Sequence, residues 1–475
     1  MAERDDSSPE KASEPHDSLE VVPPGEPAPN LGDAGEVHLD IATQDRNGLI
    51  YAALVSLIYL AAPVLYVGFV QASLCKRLET SDAMANLPSS VYLAMQWFPV
   101  FIAWLVPQAR LLKTTISVSY LVCGVMGALV AAVLLIGAPS EVIVWSLVIH
   151  AGVLGCANGA AFTFNWECFG RGVSERRRGK ALAWAFGWGP GFAVAGSLGA
   201  QLILDGNLFG WSPPVLSEVQ YPYSFALLFG ASLPIMAFGA YLAQLYRFPM
   251  PVRDAEREPF KTAVLGGFKQ IVGYRVLLFA CIAYLLIYCG NMVQNNMSLV
   301  TREKLGVDPD TLVGYQLALR FSFKMLAGFL LGWLLTRTNP KVPLLVTAAL
   351  QILGVIWVLL VPGGWFMLAF GINGAGELFG VYYVNYPVAC SPKSQIRRNI
   401  AFLMMVSSLV SFAPIMYGWV SDTWSLTASF WVALGILGVT TALVAALLPA
   451  RPRPRAEDMT EADLEQGSLD QSQTA

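Results

Sequence analysis

Three ionisable residues in otherwise apolar sequence mark where this chain could do chemistry. Arg320 and Lys324 stand in ALRFSFKMLAGFLLGWLL (residues 318–335), and Glu377 stands in GINGAGELFGVYY (residues 371–383). Positions four apart share a helix face, so the two cations project together. If these runs cross a bilayer as helices, a rise of ~1.5 Å per residue puts Arg320 ~13 Å, Lys324 ~20 Å and Glu377 ~18 Å from the outer end of their spans. Charge at that depth is costly and seldom serves packing alone. Three readings follow. Glu377 pairs with a cation and holds helices together; the surplus cation binds a negative group of a solute; or Glu377 carries a proton.

Other polar groups sit at similar depth. CGNMVQNNMSLV (residues 289–300) sets Asn291, Gln294 and Asn295 on one stripe, with Asn296 beside it. Crowded amides are unfavourable against lipid, so the stripe must line a cavity or a helix contact. His150 lies ~12 Å from the outer end of its run on the same rise. It is either a second group for proton coupling or a hydrogen-bonded structural residue. Asn158 and Asn165 follow on that run, and Glu167 and Arg171, four apart at its end, are spaced to pair near an inner gate.

The elements that must position these residues can be read from composition. Of 475 residues, 55% are hydrophobic and 13% charged, and the mean hydropathy is +0.54. Those values indicate a polytopic membrane protein. The net charge of −3 hides a basic membrane part, because many acids lie between Glu3 and Asp45 or between Glu457 and Asp470. Residues 1–46 and 451–475 are too polar to bury a core and read as disordered tails. Residues 1–46 also lack the basic start and apolar centre of a signal peptide, which predicts a cytoplasmic N-terminus. The seven cysteines have no paired spacing and read as small core residues.

Apolar runs of roughly 20 residues, enough to cross a ~30 Å hydrocarbon core, recur twelve times. They fall near 48–73, 88–108, 114–137, 142–169, 179–204 and 222–246, then near 276–300, 311–335, 342–361, 365–389, 398–420 and 425–449. Basic residues alternate with them. Arg110 and Lys113, Arg171 and Arg176 to Lys180, Arg247 to Arg275, Arg337 and Lys341, and Lys393 to Arg398 fall on the side of the termini. Only Lys76, Arg77, Arg302 and Lys304 fall on the other. The bias satisfies the positive-inside rule for both termini in the cytoplasm, in an inner or plasma membrane. The expected organisation is an all-α membrane protein of twelve helices, in six-helix bundles at 47–248 and 275–450. A cytoplasmic loop at 249–274, with a short amphipathic helix, joins them. The two halves echo one another: Asn158-Gly159 matches Asn373-Gly374, and RRRGKALA (residues 176–183) matches RRNIAF (residues 397–402).

With these features the chain resembles the major facilitator superfamily over nearly everything between its tails. That family carries Gly-x-Leu-x-Asp-Arg-x-Gly-Arg-Lys after its second and eighth spans. Here GWLLTRTNPK keeps Gly332, Leu334, Arg337 and Lys341, with Thr336 in place of the acid and Asn339-Pro340 in place of Gly-Arg. The first copy, AWLVPQARLLK, keeps Leu105, and Arg110 and Lys113 with a slip in register; Pro107 stands at the acid. The resemblance implies two pseudo-symmetric bundles and alternating access, with a gate lock that differs from the family's. AFGWGPGFAVAGSLGA (residues 185–200) is similar to the family's antiporter Gly-Pro motif at Gly189 and Pro190. RFSFKMLAGFLLG (residues 320–332) is similar to the eighth span of monocarboxylate transporters, with the charge order reversed at Arg320 and Lys324.

The glycines of that fifth run, Gly187, Gly189, Gly191, Gly196 and Gly199, would let a neighbouring helix approach closely. Pro190 removes a backbone hydrogen bond and could act as a hinge. Tyr59, Tyr66, Trp97, Trp188, Tyr382 and Tyr383 are candidates for shaping a pocket or for packing. No nucleotide-binding, zinc-protease, CxxC, nucleophile-elbow or dinucleotide motif occurs. The expectation is therefore a monomeric, cofactor-free and metal-free transporter rather than an enzyme. Its partners would be the bilayer, a small solute, and protons or another co-ion as a coupling partner, not nucleic acid. Arg320 and Lys324 would meet an organic anion such as a carboxylate; Asn291, Gln294 and Asn295 would add polar contacts. An exporter of amphipathic compounds and a non-transporting receptor or assembly factor are the alternatives.

Overall fold

The structure, a computed structural model, describes residues 39–98, 101–102, 108–248, 268–269, 271–390, 403 and 405–452. Residues 1–38 and 453–475 of the tails, Leu105 and Pro107 of the first gate motif, the proposed amphipathic segment before residue 268, and Lys393, Arg397 and Arg398 lie outside the described residues. A backbone in hydrocarbon must satisfy its own polar groups, and the described residues do so as helices.

Among the described residues, twelve helical crossings follow in order. The first six are α1 (Ile41–Leu60, continued by Ala62–Leu65 and Phe69–Arg77), α2 (Asp82–Ala94), α3 (Leu112–Leu135), α4 (Ser140–Gly172), α5 (Glu175–Asp205) and α6 (Tyr223–Gln244). The second six are α7 (Arg275–Asn291, continued by Gln294–Leu299 and Thr301–Leu305), α8 (Val313–Arg337), α9 (Lys341–Leu360), α10 (Leu368–Gly376 and Phe379–Ala389), α11 (Phe412–Thr423) and α12 (Leu426–Leu447). Seven of them, α3, α4, α6, α7, α8, α9 and α12, are apolar enough over their length to cross a membrane on composition alone. Of the other five, α1 and α5 begin on polar turns, such as Gln44 to Asn47 in α1, α10 is divided, and the described helices of α2 and α11 are only 13 and 12 residues long. Exposed apolar side chains ring the outside, including Val118, Leu121, Val125 and Leu129 of α3 and Leu326, Phe329, Leu330 and Trp333 of α8. Such a belt is what lipid requires.

Packing repeats between the halves. α3 packs on α4 and α6, and α9 on α10 and α12; across the halves α5 meets α8, and α11 meets α2. Each pair maps onto the other when six is added to the helix number, as two related bundles demand. An even number of crossings returns the chain to the face on which it started, called here the terminal face.

α1 begins at Ile41, so residues 41–46 belong to a helix rather than to the predicted tail. They are tied down there. Asp45 pairs with Arg177 at 2.7 Å, the Ser174 hydroxyl donates to Gln44 Oε1 at 2.8 Å, and Asn47 Nδ2 donates to the Gly172 carbonyl at 3.0 Å.

Candidate functional site

Three of these crossings, α1, α7 and α10, are broken, and the breaks meet. α1 breaks at Tyr66 to Gly68, where Gln71 repairs the backbone: its Oε1 accepts from Gly68 N at 3.0 Å and its Nε2 donates to the Val64 carbonyl at 2.9 Å. α7 breaks at Met292 and Val293, and α10 at Glu377 and Leu378. Tyr66, Gly68, Met292 and Glu377 all line one cavity of about 240 Å³. A single water needs only roughly 10–15 Å³ on this measure. Discontinuous helices at the join of two repeats are where transporters place binding groups.

All six residues expected to contact a solute, Asn291, Gln294, Asn295, Arg320, Lys324 and Glu377, line this cavity. Glycine lets the charged helices close on each other: a Cβ on Gly374 of α10 would lie 2.2 Å from the Arg320 carbonyl oxygen of α8. Glu377 Oε1 lies 2.6 Å from Arg320 Nε and its Oε2 3.3 Å from Lys324 Nζ. The Lys324 contact is a hydrogen bond, whereas the shorter Arg320 contact is an ion pair without hydrogen-bond direction, leaving both atoms without a directed partner. A single carboxylate is thus shared by two cations rather than paired with one. Arg320 also lies over the rings of Phe69, at 5.2 Å, and Phe321, at 5.6 Å, where the ring faces attract its charge.

The amide stripe divides. Asn295 Nδ2 donates to Asn86 Oδ1 at 3.1 Å and to Ser89 Oγ at 2.9 Å on α2. Asn296, fully buried, takes a bond from Asn86 and donates to the Tyr417 carbonyl and Ser429. These two residues join the halves. Asn291 and Gln294 bond within the second half.

Further polar contacts between the halves lie toward the face opposite the termini. Arg77 pairs with Asp310, Gln201 donates to the Thr311 carbonyl at 2.6 Å, and the Asp422 carboxylate accepts from the backbone of Asp82 and Ala83. This conformation is closed at that face.

Other predicted residues lie elsewhere. His150 is buried beside Phe229, ring centroids 5.5 Å apart, with neither ring nitrogen hydrogen-bonded; it does not line the cavity. Asn158 donates to the Tyr92 hydroxyl and Asn165 accepts from Tyr246. Glu167 and Arg171 pair at 2.7 Å. The basic gate-motif residues find local partners: Arg110 with Gln108, Lys113 over Phe248, Arg337 over Trp333 and Lys341 with the Ala445 carbonyl. Gly332 has nothing within 4 Å of where a Cβ would be.

The five α5 glycines have different surroundings. A Cβ on Gly189 would meet the Tyr59 ring at 2.5 Å and one on Gly196 the Leu60 carbonyl oxygen at 2.0 Å, but Gly187, Gly191 and Gly199 face open space. Pro190 sits inside a helix that runs unbroken from Glu175 to Asp205. Of the aromatic candidates, Tyr66 alone lines the cavity; the rest of its aromatic wall is Tyr92, Tyr284, Tyr288 and Phe379. Tyr284 and Tyr288 extend the amide stripe of α7 at helical spacing (284, 288, 291, 295), and that spacing is the signal by which a sequence reading could have found them.

Solved structures with the same architecture are found. The nucleoside transporter NupG, in a point-mutant form, superposes with a TM-score of 0.63 at 12% identity, over 85% of this chain and 100% of that one. A D-xylose-proton symporter gives 0.61 at 13%, over 86% and 99%. The E. coli fucose:proton symporter FucP gives 0.53 at 16%, over 85% and 98%. No family sequence model matches the chain, and no curated protein sequence does. With twelve crossings, paired halves and a cavity between them, the chain has the fold of the major facilitator superfamily.

Proposed function

We propose that the protein is a secondary transporter that moves a small organic anion by alternating access, with the terminal face in the cytoplasm. The observation that carries the reading is the charge of the cavity. Its lining holds Arg320 and Lys324 against Glu377, a formal sum of +2 − 1 = +1. An unbalanced charge in low dielectric is unfavourable until an opposite charge joins it, and a carboxylate does so. Closure at the far face supports the conformational half of the reading, and the basic loops support the orientation. Glu377, shared between the cations, is the candidate for proton linkage, since a proton on it would free both for the guest.

The aromatic wall of Tyr66, Tyr92, Tyr284, Tyr288 and Phe379 favours one second reading, export of amphipathic compounds. Purified protein in proteoliposomes separates the two. Uptake of labelled carboxylates, with and without a pH gradient, is expected in the native chain and lost in Arg320→Gln and Lys324→Gln. Efflux of hydrophobic cations that survives both changes selects the exporter. Absence of any flux from folded protein would leave the receptor reading.

A further inference from the structure

Behind the charged cluster runs a chain of buried amides whose direction is set at one end. Gln351 Nε2 of α9 donates to the backbone carbonyl of Asn373 in α10 at 3.2 Å. A carbonyl can only accept, so the Gln351 amide has one orientation. Its Oε1 therefore accepts from Asn373 Nδ2, at 2.9 Å. That leaves Asn373 Oδ1 to accept from Asn291 Nδ2, at 3.3 Å, and Asn291 Oδ1 to accept from Gln294 Nε2, at 3.4 Å. Each step fixes the next, and flipping any one amide would set donor against donor or acceptor against acceptor. The chain ends on Gln294, which lines the cavity, with its Oε1 buried and without a partner.

The geometry points to a guest that carries a hydrogen-bond donor as well as its negative group: a hydroxy acid or a related anion with an O–H or N–H, whose donor meets Gln294 Oε1. This inference rests on the anion reading above and narrows it. A buried acceptor without a donor forfeits a hydrogen bond, and a guest able to supply one recovers it. A guest with only an acceptor, such as a keto group, gains nothing, because the relay presents an oxygen. Gln294 opens the segment that follows the break in α7. Asn373 and Gln351 are positioning residues: neither lines the cavity, yet they decide which atom of Gln294 is left free.

Two matched sets of acids test this by heat of binding to the full-length protein in lipid nanodiscs. They are lactate, pyruvate and propionate, and 2-hydroxyhexanoate, 2-oxohexanoate and hexanoate. The expected result is that the hydroxy acid of at least one set binds about tenfold more tightly than its keto and unsubstituted partners, the gain of one recovered buried hydrogen bond. In Gln294→Met, which removes the acceptor, that ratio should fall to about one. In Gln351→Met, which removes the anchor without touching the cavity, the ratio should also shrink. Equal binding of all members of each set by the native chain, or a preference that persists in Gln294→Met, overturns the donor inference and leaves the anion reading intact. Binding that is absent for all six acids, or unaffected by Arg320→Gln, overturns the anion reading itself and this inference with it.

Discussion

Asp422, at the end of α11, caps α2 from the other half of the molecule through Asp82. Its carboxylate accepts the backbone N–H of Asp82 at 2.8 Å and of Ala83 at 2.9 Å. The first N–H groups of a helix have no partner of their own and carry the positive end of its dipole. Asp82 itself pairs with Lys76 at 2.7 Å and accepts from Ser421. The backbones come this close because residue 418 is glycine: a Cβ there would lie 2.6 Å from Ala83 Cα. Loss of a helix cap costs about 0.5–2 kcal/mol, and this cap holds two bundles shut rather than one helix. Asp422→Ala should therefore raise the population open at the far face by about two- to thirtyfold. Spin labels at Glu218 and Trp424, one on each half, would show it as a longer distance population. An unchanged distribution would mean that the cap contributes nothing to closure.

Acidity should act on the same face through Asp310. The residue lies in the turn between α7 and α8, buried, with one oxygen unpartnered. Burial raises its pKa above the ordinary carboxylate range; Arg77 opposes the rise only in part, and Asp308 adds to it. A proton thus binds more tightly to the closed form than to one in which Asp310 meets water. The closed form is favoured most below the ordinary carboxylate pKa and loses that advantage as pH rises through the raised value. The same spin-label pair should report more closed protein as the pH is lowered into this window, and a smaller response in Asp310→Asn. Opening on acidification would show that the attraction of Arg77 outweighs burial.

Much of this architecture was legible because hydrocarbon leaves a sequence few choices. Runs near 20 residues and the side bias of Arg and Lys fix the crossings, and charge at depth is enough to pick out Arg320, Lys324 and Glu377. The sharing of Glu377 between two cations was not legible, because α8 and α10 meet through Gly374, and a glycine in sequence does not say which helix approaches it. The same limit explains α5, where five glycines look alike and only Gly189 and Gly196 face α1. Asn295 lines the cavity and also bonds to α2, while Asn296 beside it bonds only to neighbouring helices; the sequence does not separate these outcomes, since an amide stripe lines a cavity or a helix contact with equal ease. Tyr284 and Tyr288 were missed for a different reason: a tyrosine pair in an apolar helix resembles ordinary packing.

The shared carboxylate makes the three charged residues unequal. Removing either cation leaves a neutral pair, and the protein should fold. Removing Glu377 leaves two like charges in one cavity, and breaking a buried ion pair from one side costs about 3–5 kcal/mol. Glu377→Gln should therefore lower the thermal stability of purified protein clearly more than Arg320→Gln or Lys324→Gln does. Added carboxylate should restore part of the loss in Glu377→Gln, because binding to the folded form stabilises it by mass action. Equal melting shifts in all three variants would argue that the charges do not act as a unit.

The two α5 glycines that touch α1 should be separable from the three that do not. At Gly196 the obstacle to a methyl group is a backbone oxygen of Leu60, which cannot turn aside, whereas at Gly189 it is the ring of Tyr59. Overpacking a close helix contact costs about 1–3 kcal/mol, and shifting backbone lies at the upper end. Gly196→Ala should thus destabilise most and Gly189→Ala less. Gly187→Ala, Gly191→Ala and Gly199→Ala, facing open space, should match the native chain or gain slightly, since alanine is the better helix former by about 1 kcal/mol. Melting curves of the five variants in one detergent give the order directly. If the three open positions prove as costly as Gly196, they are filled in another conformation of the cycle, and α5 must then slide or tilt against a neighbour when the far face opens.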